Sequence, residues 1–362
     1  MALNVKVNTV KCDIGSYIHY WRGIKKVGKT TLFYNLIQEQ YDGDLSKGLL
    51  ISVGNETGVN ALDGLYYTET ETWSELAEVV DELAENKKDN SFEMIGIDTV
   101  DEVISLAMQE VKRLHKKAKG QSVEFNACFG GYGAPRQKVT ELVDELLAKL
   151  KKAGYGIILI GHTRIRDIKE KNGDEYQQLT SNLSSDYDGI FANKADIVAT
   201  IVVEKDIDEN KHINGTTRYI YFRSDGFVDA GGRFADMPEK IEYGAKEYIQ
   251  AFEEGVKKAI KSDIKDSEIK KRAQAEKKER ELSAQEYAES LKELNKNENK
   301  VEEYLKNKEE EYLFYIKSHF SNADASKKKE IKAIMSEYGF KKFSDDDIPI
   351  IALEKIVNIL KQ

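Results

Sequence analysis

The chain has 362 residues, 40% of them hydrophobic and 33% charged, and a formal net charge of −9 at pH 7. That length accommodates one substantial domain and a smaller one, and the apolar content is enough to bury a core. The negative balance excludes a uniformly basic nucleic-acid binder, although a local basic loop remains compatible with it because screening acts over about 8 Å at physiological salt.

Taken in chain order, the N-terminal stretch MALNVKVNTVKCDIGS has no apolar segment of the kind that targets a chain for secretion, and no later apolar run approaches the length of a membrane span. Cys12 and Cys128 lie far apart and form no metal-ligand spacing. These features lead us to expect a reduced, soluble, cytoplasmic protein without a membrane segment. From residue 16 to about 225, short apolar runs alternate with amphipathic stretches. The runs SYIHYW, GLLISV, FEMIGID and YGIILIG are separated by helical patterns near 29–40, 73–86, 101–118 and 138–152. Continuous apolar runs bounded by helices predict parallel strands covered on both faces, an α/β fold. The last two runs, ADIVATIVV and TRYIYF, read instead as a hairpin at the sheet edge.

A further helical pattern, KIEYGAKEYIQAFEEGVKKAI, closes this block near residue 260. Residues 261–311 are densely charged, with Leu291, Leu294, Val301 and Leu305 at roughly heptad spacing over too short a stretch to define a coiled coil. They are expected to form a solvated helical linker. Residues 312–362 regain apolar periodicity and predict a small helical module.

Within the first block, Gly23, Ile24, Lys25, Lys26, Val27, Gly28, Lys29, Thr30 and Thr31 contain the pattern G-x-x-x-x-G-K-[ST]. The glycines allow backbone N–H groups to approach and face phosphate oxygens. Lys29 supplies a point charge to the β- and γ-phosphates, and the Thr30 hydroxyl can ligate Mg²⁺. The run SYIHYW leads into the loop and KTTLFYNLIQEQ leaves it, which places the phosphates at a helix N-terminus. This is the pattern of a P-loop, with ATP and Mg²⁺ as the expected cofactors. The apolar run ending in Asp98 supplies a second metal-directed carboxylate, as in a Walker B motif. Asp101 and Glu102 are weaker candidates, since acidic residues in a first helical turn ordinarily answer the helix dipole. Glu56, just past the second strand, is placed either to orient an attacking water or as an exposed loop residue. His162 ends the fourth strand, where it can sense the γ-phosphate or serve structure alone.

This order of parts resembles the RecA-like P-loop ATPases, in particular the phage-type AAA/RecA nucleotide-binding proteins of the single-strand annealing recombinase group. The stretches that carry the resemblance are YWRGIKKVGKTTL, LLISVGNETG, MIGIDTVDEV, GIILIGHTRIRD, QLTSNLS, ADIVATIV and VDAGGRF, from residue 16 to about 235. The resemblance implies an ATP-hydrolysing recombination protein that binds single-stranded DNA, promotes strand pairing or annealing, and assembles as a homo-oligomeric ring or filament in a bacterial host's cytoplasm. It gives Glu56 the water-activating role. At His162 the chain departs from the glutamine sensor of RecA, which leaves the coupling of nucleotide state to DNA open. Two segments fall where the family carries DNA-binding loops, 116–138 and 163–194. In the second, Arg164, Arg166, Lys169 and Lys171 form a local basic run suited to phosphate contacts. In the first, Phe125, Phe129 and Tyr132 beside GGYG offer faces for base stacking or residues for the core. Arg223 and Arg233 are candidates for a cation reaching the γ-phosphate of a neighbouring subunit, or for pairing with carboxylates. Two other functions remain open: a nucleotide-dependent loader that meets DNA through a single-strand-binding or replication protein held by the C-terminal region, and a small-molecule P-loop kinase.

Overall fold

A computed structural model describes residues 7–54, 58–170, 173–208, 212–260, 264–345 and 348–361. In chain order the strands are β1 (Ile18–Gly23), β2 (Gly48–Val53), β3 (Tyr66–Thr70), β4 (Met94–Asp98), β5 (Gly156–Lys169), β6 (Glu175–Ser181), β7 (Ile197–Ile207), β8 (Ile213–Tyr221), β9 (Gly231–Gly232) and β10 (Lys240–Glu242). The helices are α1 (Lys29–Gln40), α2 (Trp73–Glu85), α3 (Val100–Lys119), α4 (Ala134–Lys152), α5 (Ser185–Ala192), α6 (Ala245–Ala259), α7 (Asp266–His319), α8 (Ala325–Glu337) and α9 (Ile350–Lys361).

The sheet order is β10-β8-β7-β1-β5-β4-β2-β3. From β7 through β3 every neighbouring pair is parallel, as the apolar runs predict. The β7–β8 pair is the expected antiparallel hairpin, but β10 adds to β8 and forms the actual edge. Buried along its whole length, β1 alternates between two covered faces. His19 and Trp21 meet Tyr248 of α6 on one face, the Trp21 and Tyr248 rings 5.2 Å apart. Tyr20 and Arg22 reach Asp188 of α5 on the other. The first face carries a core of Trp21, Leu32, Phe33, Leu36, Ile37, Tyr248, Phe252 and Val256.

Two elements differ from the sequence reading. The segment read as a second DNA loop is a hairpin followed by a helix: β5 runs on to Lys169 and folds back on antiparallel β6, with Thr163 opposite Ser181, and α5 follows. Along β5 Arg166 and Ile168 are half-buried while Ile165, Asp167 and Lys169 are exposed, a period-two alternation that the residue types do not reveal. The second difference concerns the charged region after residue 260. A compact unit runs to Ala288, and residues 289–362 form another. The first part of α7 belongs to the first unit because Ile269, Ala284 and Ala288 are buried there. Arg280 pairs with Asp13 at 2.7 Å, and Glu276 accepts the backbone N–H groups of Cys12 and Asp13. Small residues permit the close approach: a Cβ on Gly154 would lie 3.1 Å from that of Ala284. The second unit has its own core of Ile316, Ile331, Phe340, Leu353, Ile356 and Val357. Among the described residues no helix is long and apolar enough to cross a membrane.

Candidate nucleotide site

Parallel strands place their carboxyl ends on one edge, and register aligns them there: Gly23 is opposite His162, and Ser52 opposite Asp98. The residues between Gly23 and α1 close over this edge. Gly28 adopts φ +107° as the N-cap of α1, a conformation that side-chain-bearing residues rarely take. A Cβ at Gly23 would lie 2.8 Å from Val27 and 3.1 Å from the Ile201 carbonyl, so this glycine answers close packing.

Lys29 folds back over the loop, buried, with its ammonium donating to the carbonyls of Gly23 at 3.0 Å and Ile24 at 3.1 Å. A buried ammonium needs such partners, and phosphate oxygens are stronger ones. The Thr30 hydroxyl donates to Asp98 Oδ2 at 2.7 Å. The structure thus brings the hydroxyl and the carboxylate assigned to Mg²⁺ into contact from positions 68 residues apart. This hard oxygen pair fits Mg²⁺ held chiefly by phosphates and water. Among the described residues no group of three or more His, Cys, Asp or Glu forms a metal cage of its own. Ile24 is exposed beside the cradle, and Lys26 takes a positive φ of 63° in the turn.

Glu56 lies outside the described residues, as does Lys171. The chain on either side of Glu56 reaches the site, since a Cβ on Gly58 would lie 2.8 Å from Thr30 Oγ1 and one on Gly54 would lie 3.1 Å from Glu102. His162 is joined to Asp101, which sequence alone left with the helix dipole. Asp101 Oδ2 accepts the His162 backbone N–H at 3.0 Å and lies 3.3 Å from its Nδ1. Asp101 Oδ1 accepts from Asn182 Nδ2 at 3.1 Å, and Asn182 N–H closes the link by donating to the His162 carbonyl at 2.8 Å. Burial alone would raise the Asp101 pKa, but the hydrogen bonds from His162 and Asn182 outweigh it and hold the carboxyl below its ordinary value. One carboxylate at the start of the helix after Asp98 therefore fastens both strands of the β5–β6 hairpin.

The basic residues on that hairpin have different fates. Arg164 is exposed and makes no side-chain ion pair or hydrogen bond among the described residues. Arg166 turns inward and donates to the carbonyls of Ser181 and Leu183, bracing the hairpin. Lys169 pairs with Glu175 at 3.0 Å across the exposed strands, a contact of little energetic weight. In the other segment Phe125 is buried, whereas Phe129 packs edge-on against His115 with ring centres 5.2 Å apart. Tyr132 is fully exposed at φ 49°. Arg233 takes the carboxylate alternative, lying 3.4 Å from Asp196 at the start of β7, while Arg223 is exposed.

Sequence reasoning passed over two further contributors. Arg218 Nη1 donates to the Val27 carbonyl at 3.2 Å, and the Tyr243 hydroxyl donates to that of Gly28 at 2.7 Å. Nothing near either residue in sequence signals a role at the loop. Arg22, buried beside Gly23, holds Asp229 at 3.0 Å and Asp188 at 3.5 Å beneath the same edge.

A mostly parallel α/β sheet with a buried lysine, a threonine–aspartate pair and a glycine-capped helix on one carboxyl edge defines a P-loop nucleotide-binding domain. Residues 18–234 match the model of the AAA domain family, and the chain belongs to that family. No curated protein matches the chain.

Proposed function

We propose that this chain is a Mg²⁺-dependent ATPase that binds single-stranded DNA and promotes strand pairing or annealing in recombination, as a RecA-like member of its family. Mg²⁺ bound with ATP would supply charge neutralisation at the phosphates. The protein's part would be to hold those phosphates with the loop N–H groups and Lys29 and to hold the metal with the Thr30 hydroxyl and Asp98. Glu56, on the segment bracketed by Gly54 and Gly58, is the residue proposed to orient the attacking water.

The observation that carries the DNA reading is the Asp101 hub. It joins the helix that follows Asp98 to the hairpin that presents Arg164. A change at the phosphates would bear on Asp98 and then on the anchor of that hairpin. Arg136 at the start of α4 also lies 3.0 Å from Asp186 of α5, so the segment with Tyr132 and the chain after β6 are neighbours. Arg164 then offers a phosphate contact and Tyr132 a stacking face.

Fluorescence anisotropy with a labelled single strand, titrated with salt in the presence and absence of MgATP, tests this reading. Binding should be ATP-sensitive. Arg164→Ala should lower affinity evenly across sequences and reduce the salt slope by about 0.7, one single-strand phosphate contact. DNA binding that ignores ATP, or none at all, would remove the recombination reading. A chain ending at Ala288 separates direct binding from recruitment, since a loader that meets DNA through a partner held by residues 289–362 would lose all DNA association.

A further inference from the structure

The two bonds that Arg218 and Tyr243 make to the loop have a consequence for its phosphate-facing side. The Val27 carbonyl and the Gly28 N–H are opposite ends of one planar peptide unit, and the Gly28 carbonyl and the Lys29 N–H are opposite ends of the next. Because the unit is rigid, a donor fixed at its oxygen also fixes the direction of its N–H. Hydrogen bonds strung through one peptide polarise one another, so a donor at the oxygen strengthens the N–H as a donor. In a P-loop these N–H groups are the ones turned to phosphate. We infer that Arg218 and Tyr243 are positioning residues of the nucleotide site, holding and polarising the two peptides that present the Gly28 and Lys29 N–H groups to phosphate.

They act as a unit. The Arg218 guanidinium lies 4.2 Å over the Tyr243 ring, and the Tyr243 backbone N–H donates to the Arg218 carbonyl at 2.9 Å. The antiparallel edge of the sheet is thereby clamped to the loop from residues 191 and 215 positions away in sequence. The clamp gives Gly28 a second reason to be glycine: a Cβ there would lie 2.6 Å from the Tyr243 hydroxyl and 2.9 Å from Arg218 Nη1. Tyr243 carries the larger share, since it is half-buried and its bond is the shorter, and burial raises its pKa and so keeps the proton it donates. Arg218 is exposed, so water competes for its bond.

This inference rests on the loop being an ATP site, and the experiment separates the two. The full chain, Tyr243→Phe and Arg218→Gln are compared by titration calorimetry with MgATP and by steady-state hydrolysis. Tyr243→Phe keeps the ring and its stacking and loses only the hydroxyl. It should weaken MgATP binding about fivefold, the worth of one ordinary hydrogen bond, and Arg218→Gln about twofold. KM should rise with kcat retained, because the contact serves ground state and transition state alike, whereas structural damage would lower kcat through loss of active protein. If Tyr243→Phe loses its fold, Arg218→Gln on the exposed strand decides by the same KM criterion. Variants that bind MgATP as tightly as the parent, or lose kcat at constant KM, overturn the inference while leaving the ATP site intact. A parent that binds no MgATP removes both.

Discussion

Replacing Asp101 with alanine probes the hydrogen-bonded hub between the first turn of α3 and the β5–β6 hairpin. The substitution removes the acceptor for the His162 backbone N–H, for its ring Nδ1 and for the Asn182 amide. Asn182 faces solvent and finds water instead. The His162 N–H is partly buried, and an orphaned donor of that kind costs about 1–3 kcal/mol, to which the lost charge-assisted bond adds about 1 kcal/mol. The sum, about 2–4 kcal/mol, corresponds to a melting temperature lower by roughly 4–16 °C for a domain of this size. Asp101→Asn keeps an acceptor and should lose less than half as much. The carboxyl is held below its ordinary value, so its contribution is present above about pH 4 and is lost as the pH falls through the depressed pKa. The asparagine variant should lack that part of the acid limb. Thermal denaturation of the three chains across pH measures all of this. Calorimetry should show MgATP affinity unchanged, because Lys29, Thr30 and Asp98 are untouched, while the effect of ATP on single-strand binding disappears. An Asp101→Ala chain that melts within about 1 °C of the parent would show that the three bonds bear no load, and the hub would fail as an explanation.

Lys29→Ala should retain its circular dichroism spectrum and lose MgATP affinity by at least about 30-fold, the loss expected when one partner of a buried charge contact is cut. At roughly 100 times the parent's Kd, where MgATP stabilises the parent by about 2.7 kcal/mol, the same variant should gain less than about 1 kcal/mol. Glu56→Gln should bind MgATP as the parent does and hydrolyse it more slowly in a single-turnover assay. A parental rate would move the water-orienting role elsewhere. His19 is fully buried, and since the Ile14 carbonyl can only accept, Nε2 carries the proton and Nδ1 accepts the Tyr248 hydroxyl at 2.8 Å. Burial pushes its pKa from 6.5 down to about 4, so the unfolded chain takes up a proton in that window that the folded one refuses. Stability should be full above pH 6.5 and decline toward pH 4 by up to about 3 kcal/mol, at about 1.4 kcal/mol per pH unit. Denaturant midpoints should show a flatter profile for His19→Gln.

Local chemistry was enough to locate the cradle. The spacing of Gly23, Gly28, Lys29 and Thr30 between a strand run and a helix run carries its own geometry, because a P-loop is built from consecutive backbone groups. The same holds for Asp98, which ends an apolar run, and for the helices that cover the sheet, whose stripes are set by a 3.6-residue period. Tertiary structure alone decided what joins them. Asp101, His162 and Asn182 come from the first turn of α3, the middle of β5 and the residue after β6, and only strand order makes them neighbours. Arg218 and Tyr243 reach the loop because β8 and β10 lie beyond β7 at the sheet edge, an arrangement no local pattern encodes. Helical periods and turn residues act over a few positions, whereas pairing across a sheet is selected by the burial of both faces at once. The loop residues and Asp98 were therefore legible in the chain, and the residues that contact them from elsewhere in the sheet were not.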